Sequence, residues 1–102
     1  MNDVNLEILW PYELTDQNVF EMSCKGWVHI SVKIDEVKSF EVFLYDPVRA
    51  TQDLTEAASR GQPWILEPNL ILVTEVTPVI VAQALDEAWS SGFFDGFLKT
   101  SI

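Results

Sequence analysis

The sequence predicts an α+β domain in which two helices pack on one face of a mainly antiparallel sheet. Two observations lead to this fold class. Alternation of apolar and polar residues, which is typical of half-buried strands, dominates the first half of the chain. Two helix starts, each marked by a capping residue and a proline, follow in the second half. The expected order of elements is therefore β-β-β-β-α-β-α.

The length and composition indicate a single acidic domain over residues 1–102. A chain of 102 residues is close to the commonest domain size, and no repeat or linker divides it. Hydrophobic residues make up 48% of the chain, including four tryptophans and six phenylalanines. That is sufficient material for one ordinary hydrophobic core.

The first two strands are predicted from an apolar period of two. One covers residues 4–10 and ends at Pro11, which has no amide proton to donate to a neighbouring strand. A polar loop over residues 13–18 leads to the second strand, residues 19–24.

The next two strands are predicted to form a hairpin. Lys25-Gly26 provides a turn into a strand over residues 27–34, where the alternation is longest. A charged turn over residues 35–38 then precedes a strand over residues 40–45. Connections this short favour antiparallel neighbours.

A helix is predicted to follow at residue 46. Asp46 can accept hydrogen bonds from the free amides of the first turn, Pro47 suits the first helical position, and Gly61 suits the end. The side chains expected to face the core recur at helical spacing and are Val48, Thr51, Leu54 and Ala58.

The last elements are a strand and a second helix. Residues 64–66 are predicted to be extended, and residues 70–76 form a strand whose first half is apolar on both faces, which predicts a position inside the sheet. Thr77-Pro78 starts a helix that reaches about residue 90 and stops at Gly92. The apolar residues after it, expected to fold against the core, are Phe93, Phe94, Phe97 and Leu98.

The charge balance restricts the partners of this domain. Sixteen acidic and six basic side chains give a net charge of −10, which repels nucleic acids and anionic membranes and attracts basic proteins. One cysteine, Cys24, cannot form an internal disulfide, and the first residues lack the pattern of a secretory signal. We therefore expect a cytoplasmic protein.

The sequence offers little for catalysis, metals or cofactors. His29 is the only histidine and Cys24 the only cysteine, so a zinc site lacks its usual ligands. No Gly-x-Ser-x-Gly motif or glycine-rich phosphate loop is present, and adjacent carboxylates such as Asp86 and Glu87 point apart on a helix. We expect a protein that is not an enzyme and that holds neither a metal nor a cofactor.

A candidate partner-binding face follows from the predicted strands. Their apolar residues are sufficient for the core, which leaves aromatic side chains on the opposite face among carboxylates. Such aromatics are the usual anchors of protein interfaces; the alternative is that they only stabilise the sheet or are covered by the tail. The predicted binding residues are Glu21, Trp27, His29, Glu41, Phe43 and Tyr45.

The leading hypothesis for function is a small acidic protein that neutralises a basic macromolecule. A bacterial immunity protein or antitoxin that blocks a toxin, for example a nuclease, has this charge and size. One alternative is a nucleic-acid mimic that inhibits another protein without any toxin. Another is a homodimeric accessory subunit joined through its phenylalanine-rich tail or a sheet edge, and a third is a small acidic enzyme. The capping signals do not explain Arg49, for which two roles stay open: an ion pair with a neighbouring carboxylate, or a contact with a partner.

Overall fold

The computed structural model describes residues 6–34 and 39–94. Within them the chain forms an α+β domain, which confirms the predicted class at that level, but with a mixed sheet and three helices. The predicted turn at residues 35–38, together with Phe97 and Leu98 of the tail, lies outside the described residues. The elements in order are β1 (Glu7–Leu9), α1 (Asp16–Lys25), β2 (Trp27–Lys33), β3 (Ser39–Tyr45), α2 (Pro47–Ser59), β4 (Leu70–Leu72) and α3 (Pro78–Ser91).

The four strands lie in the order β1-β2-β3-β4. The neighbours β1 and β2 are antiparallel, and so are β2 and β3, as predicted for a hairpin. In contrast, β4 runs parallel to β3 and is the edge strand among those described, so the predicted interior position is wrong. The cause is α2, which connects β3 to β4 and returns the chain to the end of the sheet where β3 begins.

The predicted loop over residues 13–18 and the strand over residues 19–24 are corrected by the structure, which has helix α1 there. The Thr15 side chain accepts a hydrogen bond from the amide of Asn18 at 3.1 Å and so caps the first turn. Gly26 closes the helix in the left-handed conformation, and its amide bonds to the carbonyl of Met22. The two caps stabilise a helix in this segment. The alternation of apolar and polar residues over residues 19–24 therefore does not correspond to a strand.

The core lies on one side of the sheet, which we call the core face. It carries the even-numbered residues of β2 and β3, and α1 and α3 both pack against it. Phe94 is only 1% exposed and packs against Phe40 with 4.7 Å between ring centroids, so this part of the tail folds onto the core as expected. The buried cluster consists of Met22, Val28, Ile30, Val32, Phe40, Val42, Leu44, Val73, Val76, Val81, Leu85, Ala88 and Phe94.

Helix α2 starts as predicted but presents the opposite side to the domain. Asp46 caps it and Pro47 occupies its first turn. The stripe predicted to face the core is exposed instead: Val48 is 66% and Leu54 is 42% exposed, while Ala57 is the buried residue of this helix. The predicted pair of helices therefore does not share one face of the sheet, because α1 rather than α2 accompanies α3.

The side of α2 that faces the sheet carries polar side chains. The Nε atom of Arg49 lies 3.1 Å from Oδ1 of Asp53, one turn further along the helix. Asp53 also lies close enough to the hydroxyl of Tyr45, at the end of β3, to raise the pKa of that phenol. The Arg49–Asp53 side of the helix therefore faces the sheet, and the apolar stripe lies outside.

Helix α3 agrees with the prediction at both ends. The Thr77 side chain accepts a hydrogen bond from the amide of Ile80, Pro78 follows in the first turn, and Gly92 closes the helix in the left-handed conformation. No helix in the described ranges is long and apolar enough to cross a membrane.

Gly26 and Asp46 connect four elements at one point. The amide of Asp46 donates to the carbonyl of Gly26 at 2.8 Å, while Asp46 Oδ1 accepts from the amide of Arg49 at 2.7 Å. A Cβ atom on Gly26 would lie 2.7 Å from Oδ2 and 2.8 Å from Oδ1 of Asp46. The end of α1, the start of β2, the end of β3 and the cap of α2 therefore depend on a residue without a side chain at position 26.

Gly26→Ala is expected to lower the free energy of unfolding by about 2–4 kcal/mol, since it adds left-handed backbone strain and displaces the capping carboxylate. Gly61→Ala is the matched control, because Gly61 also has a positive φ, 88°, but no atom lies within 4 Å of a Cβ placed there. Its cost should be about 1–2 kcal/mol. Urea unfolding of both variants measures the difference, and equal costs would contradict the proposed clash.

Candidate protein-binding face

The side of the sheet opposite the core, which we call the outer face, carries rows of cross-strand neighbours. The β2–β3 register pairs the odd-numbered residues of the two strands. The β3–β4 register extends two of these rows, because Ile71 packs on the core and its neighbours in β4 therefore point the other way. The rows are Trp27-Tyr45-Leu72, His29-Phe43-Leu70 and Ser31-Glu41.

Two neighbours on β2 hold the carboxylate of Glu41. The hydroxyl of Ser31 donates to Oε2 at 2.7 Å, and Nε2 of His29 lies 2.6 Å from Oε1. The imidazole is not oriented for a hydrogen bond to that oxygen, so the second contact is electrostatic and amounts to an ion pair when His29 is protonated. The Glu41 side chain remains 57% exposed. A carboxylate in this position is fixed and still accessible to a partner.

The aromatic rings of the outer face are also held in place. The rings of His29 and Phe43 stack with centroids 4.2 Å apart and an angle of 19° between their planes. The ammonium group of Lys25 lies 6.0 Å from the centroid of the Trp27 ring, at the limit of a cation–π contact. Side chains that are already ordered lose less conformational entropy when a partner binds.

Tyr45 marks the acidic end of this face. Burial raises the pKa of its phenol above the ordinary value of 10.0, and the charge of Asp53 together with its hydrogen bond raises the pKa further. Arg49 acts in the opposite direction and Glu67 in the same direction as Asp53. A polar cavity of about 380 Å³ lies between α2 and the segment after it, and Tyr45, Asp53 and Glu67 are among the residues that line it.

A smaller cavity of about 240 Å³ lies at the edge of β2. It is lined by Pro11, Tyr12, Lys25, Trp27, Val28 and His29. β1 pairs only with residues 31–33, so it leaves the edge of residues 27–30 uncovered. Burial raises the pKa of Tyr12, and the charge of Glu21 raises it further.

The structure brings five of the six predicted binding residues together on the outer face: Trp27, His29, Glu41, Phe43 and Tyr45. Glu21 is the exception, because it lies on helix α1 rather than on a strand. Its side chain accepts a hydrogen bond from Gln17 on the same helix. No group of three or more histidine, cysteine, aspartate or glutamate side chains in the described ranges could hold a metal ion.

Three contributors to this region were not predicted: Leu70, Leu72 and Asp53. The signal for the two leucines was the order strand, helix, strand over residues 40–76, which is typical of a parallel pair with a helical crossover. That arrangement places the last strand beside β3 and adds its side chains to the rows of the outer face. Asp53 was predicted to point outward from α2, and only the rotation of that helix brings it to Tyr45.

Comparisons with protein-family models, with curated proteins and with solved structures find no match to this chain.

The stack of His29 on Phe43 is expected to couple the two residues energetically. A double-mutant cycle of His29→Ala and Phe43→Ala, followed by chemical unfolding, should give an interaction energy of about 0.5–1.5 kcal/mol. Val79, which is 67% exposed at the start of α3, provides the control. A cycle of His29→Ala with Val79→Ala should give a value near zero, and similar values for both cycles would refute a specific stack.

The raised pKa of Tyr45 predicts a loss of stability at high pH. Its ordinary value is 10.0, so the unfolded chain releases this proton first, and stability falls from about pH 10 upward through the folded-state pKa. Asp53→Asn should lower that pKa and reduce the loss. Because the chain has two tyrosines, Tyr12→Phe assigns the absorbance of tyrosinate to Tyr45 alone. An unchanged titration in Asp53→Asn would contradict the contact.

Proposed function

We propose that this chain is a binding protein that inhibits a basic protein by covering its anion-binding surface with the outer face. Bacterial immunity proteins and antitoxins that block a toxin act in this way. The observation that supports the proposal is that β2 and β3 present partly buried aromatic rows beside the fixed but accessible carboxylate of Glu41. Such a protein would protect its own cell from within the cytoplasm.

The chemistry of this face suits a lysine or arginine side chain of the partner. Aromatic rings attract a cation over their faces, and a fixed carboxylate accepts its N–H groups. Trp27 and Tyr45 are neighbours in one row, and Glu41 lies two residues from Phe43 along β3. A basic side chain can therefore contact a ring and a carboxylate at once. The net charge of −10 adds long-range attraction that speeds the encounter.

The arrangement around Glu41 suits binding better than nucleophilic catalysis. In a catalytic triad the histidine lies between the hydroxyl and the carboxylate, so that it can take the proton of the hydroxyl. Here the carboxylate of Glu41 lies between Ser31 and His29, and the Ser31 hydroxyl donates to it. That geometry holds the carboxylate and does not activate the serine.

A nuclease is the partner that we propose in particular. Its active site binds phosphates through clustered basic groups. Glu41 near the start of β3, and Asp53 and Glu67 beside Tyr45 at its end, would occupy the positions of those phosphates. A nucleic-acid mimic directed at a different DNA- or RNA-binding protein would use the same surface. Competition by an oligonucleotide does not separate these two partners, but a nuclease assay on the captured protein does.

Trp27→Ala is expected to weaken capture of the partner by about 30-fold or more, as removal of a central aromatic anchor does. Glu41→Lys should weaken it by about tenfold and reduce its dependence on salt. The measurement is a pull-down with the tagged full chain from its native lysate, followed by titration of the recovered protein at low and high salt. One basic protein that is released as salt rises, and by a competing oligonucleotide, is the expected result.

Glu75→Lys is the matched control, because it makes the same charge change at an exposed position beyond the end of β4, outside the rows of the outer face. All variants should keep their circular dichroism spectra and unfolding midpoints. If Glu75→Lys weakens binding as much as Glu41→Lys, total charge rather than this face governs capture. A partner that binds Trp27→Ala and Glu41→Lys as tightly as the original chain would overturn the proposal.

A further inference from the structure

The edge of β4 exposes a regular set of unpaired backbone groups. The carbonyl of Asn69 accepts from Phe43, and the amide of Val73 donates to Tyr45, so odd-numbered residues of this segment bond to β3. In a parallel pair the alternate residues direct their groups to the other side. The N–H and C=O groups of Leu70 and Leu72 therefore point away from the sheet, and no described backbone group bonds to them.

The outward N–H and C=O groups of one β4 edge can pair with the same groups on a second copy. If two β4 strands meet antiparallel with Ile71 opposite its own copy, Leu70 of each strand lies opposite Leu72 of the other. Both pairs then exchange N–H···O=C bonds, and Ile71 takes the position that makes none with the partner. All four outward groups of each edge find partners, so a two-fold axis at Ile71 satisfies the whole edge.

The charge distribution favours a second copy at this edge over a basic partner. A groove of about 380 Å³ runs between β4 and α3, and among the described residues Glu87 is the one charged side chain that lines it; the other described lining residues are Leu70, Ile71, Leu72, Ala84, Ala88, Ser91 and Phe93. Natural edges are usually protected by lysine, proline or a bulge, and residues 70–73 contain no charge and no proline. Two copies that each carry a net charge of −10 can meet here with little local repulsion.

The exposed area limits the strength of this contact. Leu72 is 64% and Phe93 is 49% exposed, and a buried aromatic side chain contributes roughly 150–250 Å². These side chains and a three-residue edge on each copy fall short of the roughly 1,200–2,000 Å² that stable interfaces bury. A weak, reversible dimer with a dissociation constant on the order of 100 µM is the expected result.

We propose that two copies of this chain form a dimer by pairing their β4 strands antiparallel around Ile71, which extends the sheet from four strands to eight. This surface is distinct from the face assigned to the basic partner, since the hydrogen bonds of the dimer come from the backbone edge. The two contacts should also respond to salt in opposite ways. Salt screens the repulsion between two acidic copies and strengthens the dimer, whereas it weakens the capture of a basic protein.

Leu72→Pro and Leu72→Ala form the decisive pair of variants. Both shorten the side chain, but only proline removes the outward N–H, and an edge strand tolerates proline where that group faces solvent. Sedimentation equilibrium of the full chain from about 1 to 500 µM should show a dimer for the original sequence and for Leu72→Ala. Leu72→Pro should weaken it at least tenfold, with an unchanged circular dichroism spectrum.

Hydrogen exchange of the Leu70 and Leu72 amides shows whether a second copy, another segment of the same chain or solvent contacts the edge of β4. Protection that rises with protein concentration supports the dimer. A monomer at 500 µM with these amides exchanging rapidly would overturn the proposal. Protected amides in a monomer would also overturn it and would show that another segment of the same chain covers the edge.

Discussion

The contact between Gly26 and the capping carboxylate of Asp46 determines how the rest of the domain is arranged. Gly26 is the point where α1 turns into β2, and Asp46 is the point where β3 turns into α2, with a 2.8 Å hydrogen bond between their backbones. This bond fixes the first pair of the β2–β3 ladder, Trp27 opposite Tyr45. Since a shift of one residue would exchange the two faces of the strands, the same contact keeps the aliphatic residues in the core and the aromatic residues outside.

The two faces of the β2–β3 pair have different physical roles. The core face is filled by branched aliphatic side chains together with Phe40, and it is covered by α1 and α3; its stability comes from burial of apolar area. Within the described residues, α2 approaches the outer face at Tyr45 with its polar Asp53 side rather than with an apolar stripe. The second side of the sheet therefore carries partly buried aromatic groups and the exposed Leu72, which is the arrangement expected of a surface that binds another protein.

Structural features that depend on one local sequence pattern were predicted correctly. Features for which two patterns or contacts compete were not. The alternation in β2 and β3 placed five of the six candidate residues on one face, and the cap-and-proline signals located the starts of α2 and α3. Helix α1 was missed because a short apolar alternation competes with the caps at Thr15 and Gly26, and the caps prevail. The orientation of α2 was missed because Val48 and Leu54 form a normal apolar stripe, and only the tertiary contact of Asp53 with Tyr45 turns that stripe outward.

β4 links the two proposed surfaces, because its side chains belong to one and its backbone edge to the other. Leu70 and Leu72 extend the rows of the outer face, while their N–H and C=O groups point along the free edge. A two-fold axis that joins two antiparallel edge strands is perpendicular to the sheet, so it keeps both outer faces on the same side. The outer faces of both copies would then be exposed on the same side of the joined sheet, one on each side of the paired β4 strands. A partner with two binding patches, or a dimeric one, would gain affinity through the second contact without any new chemistry.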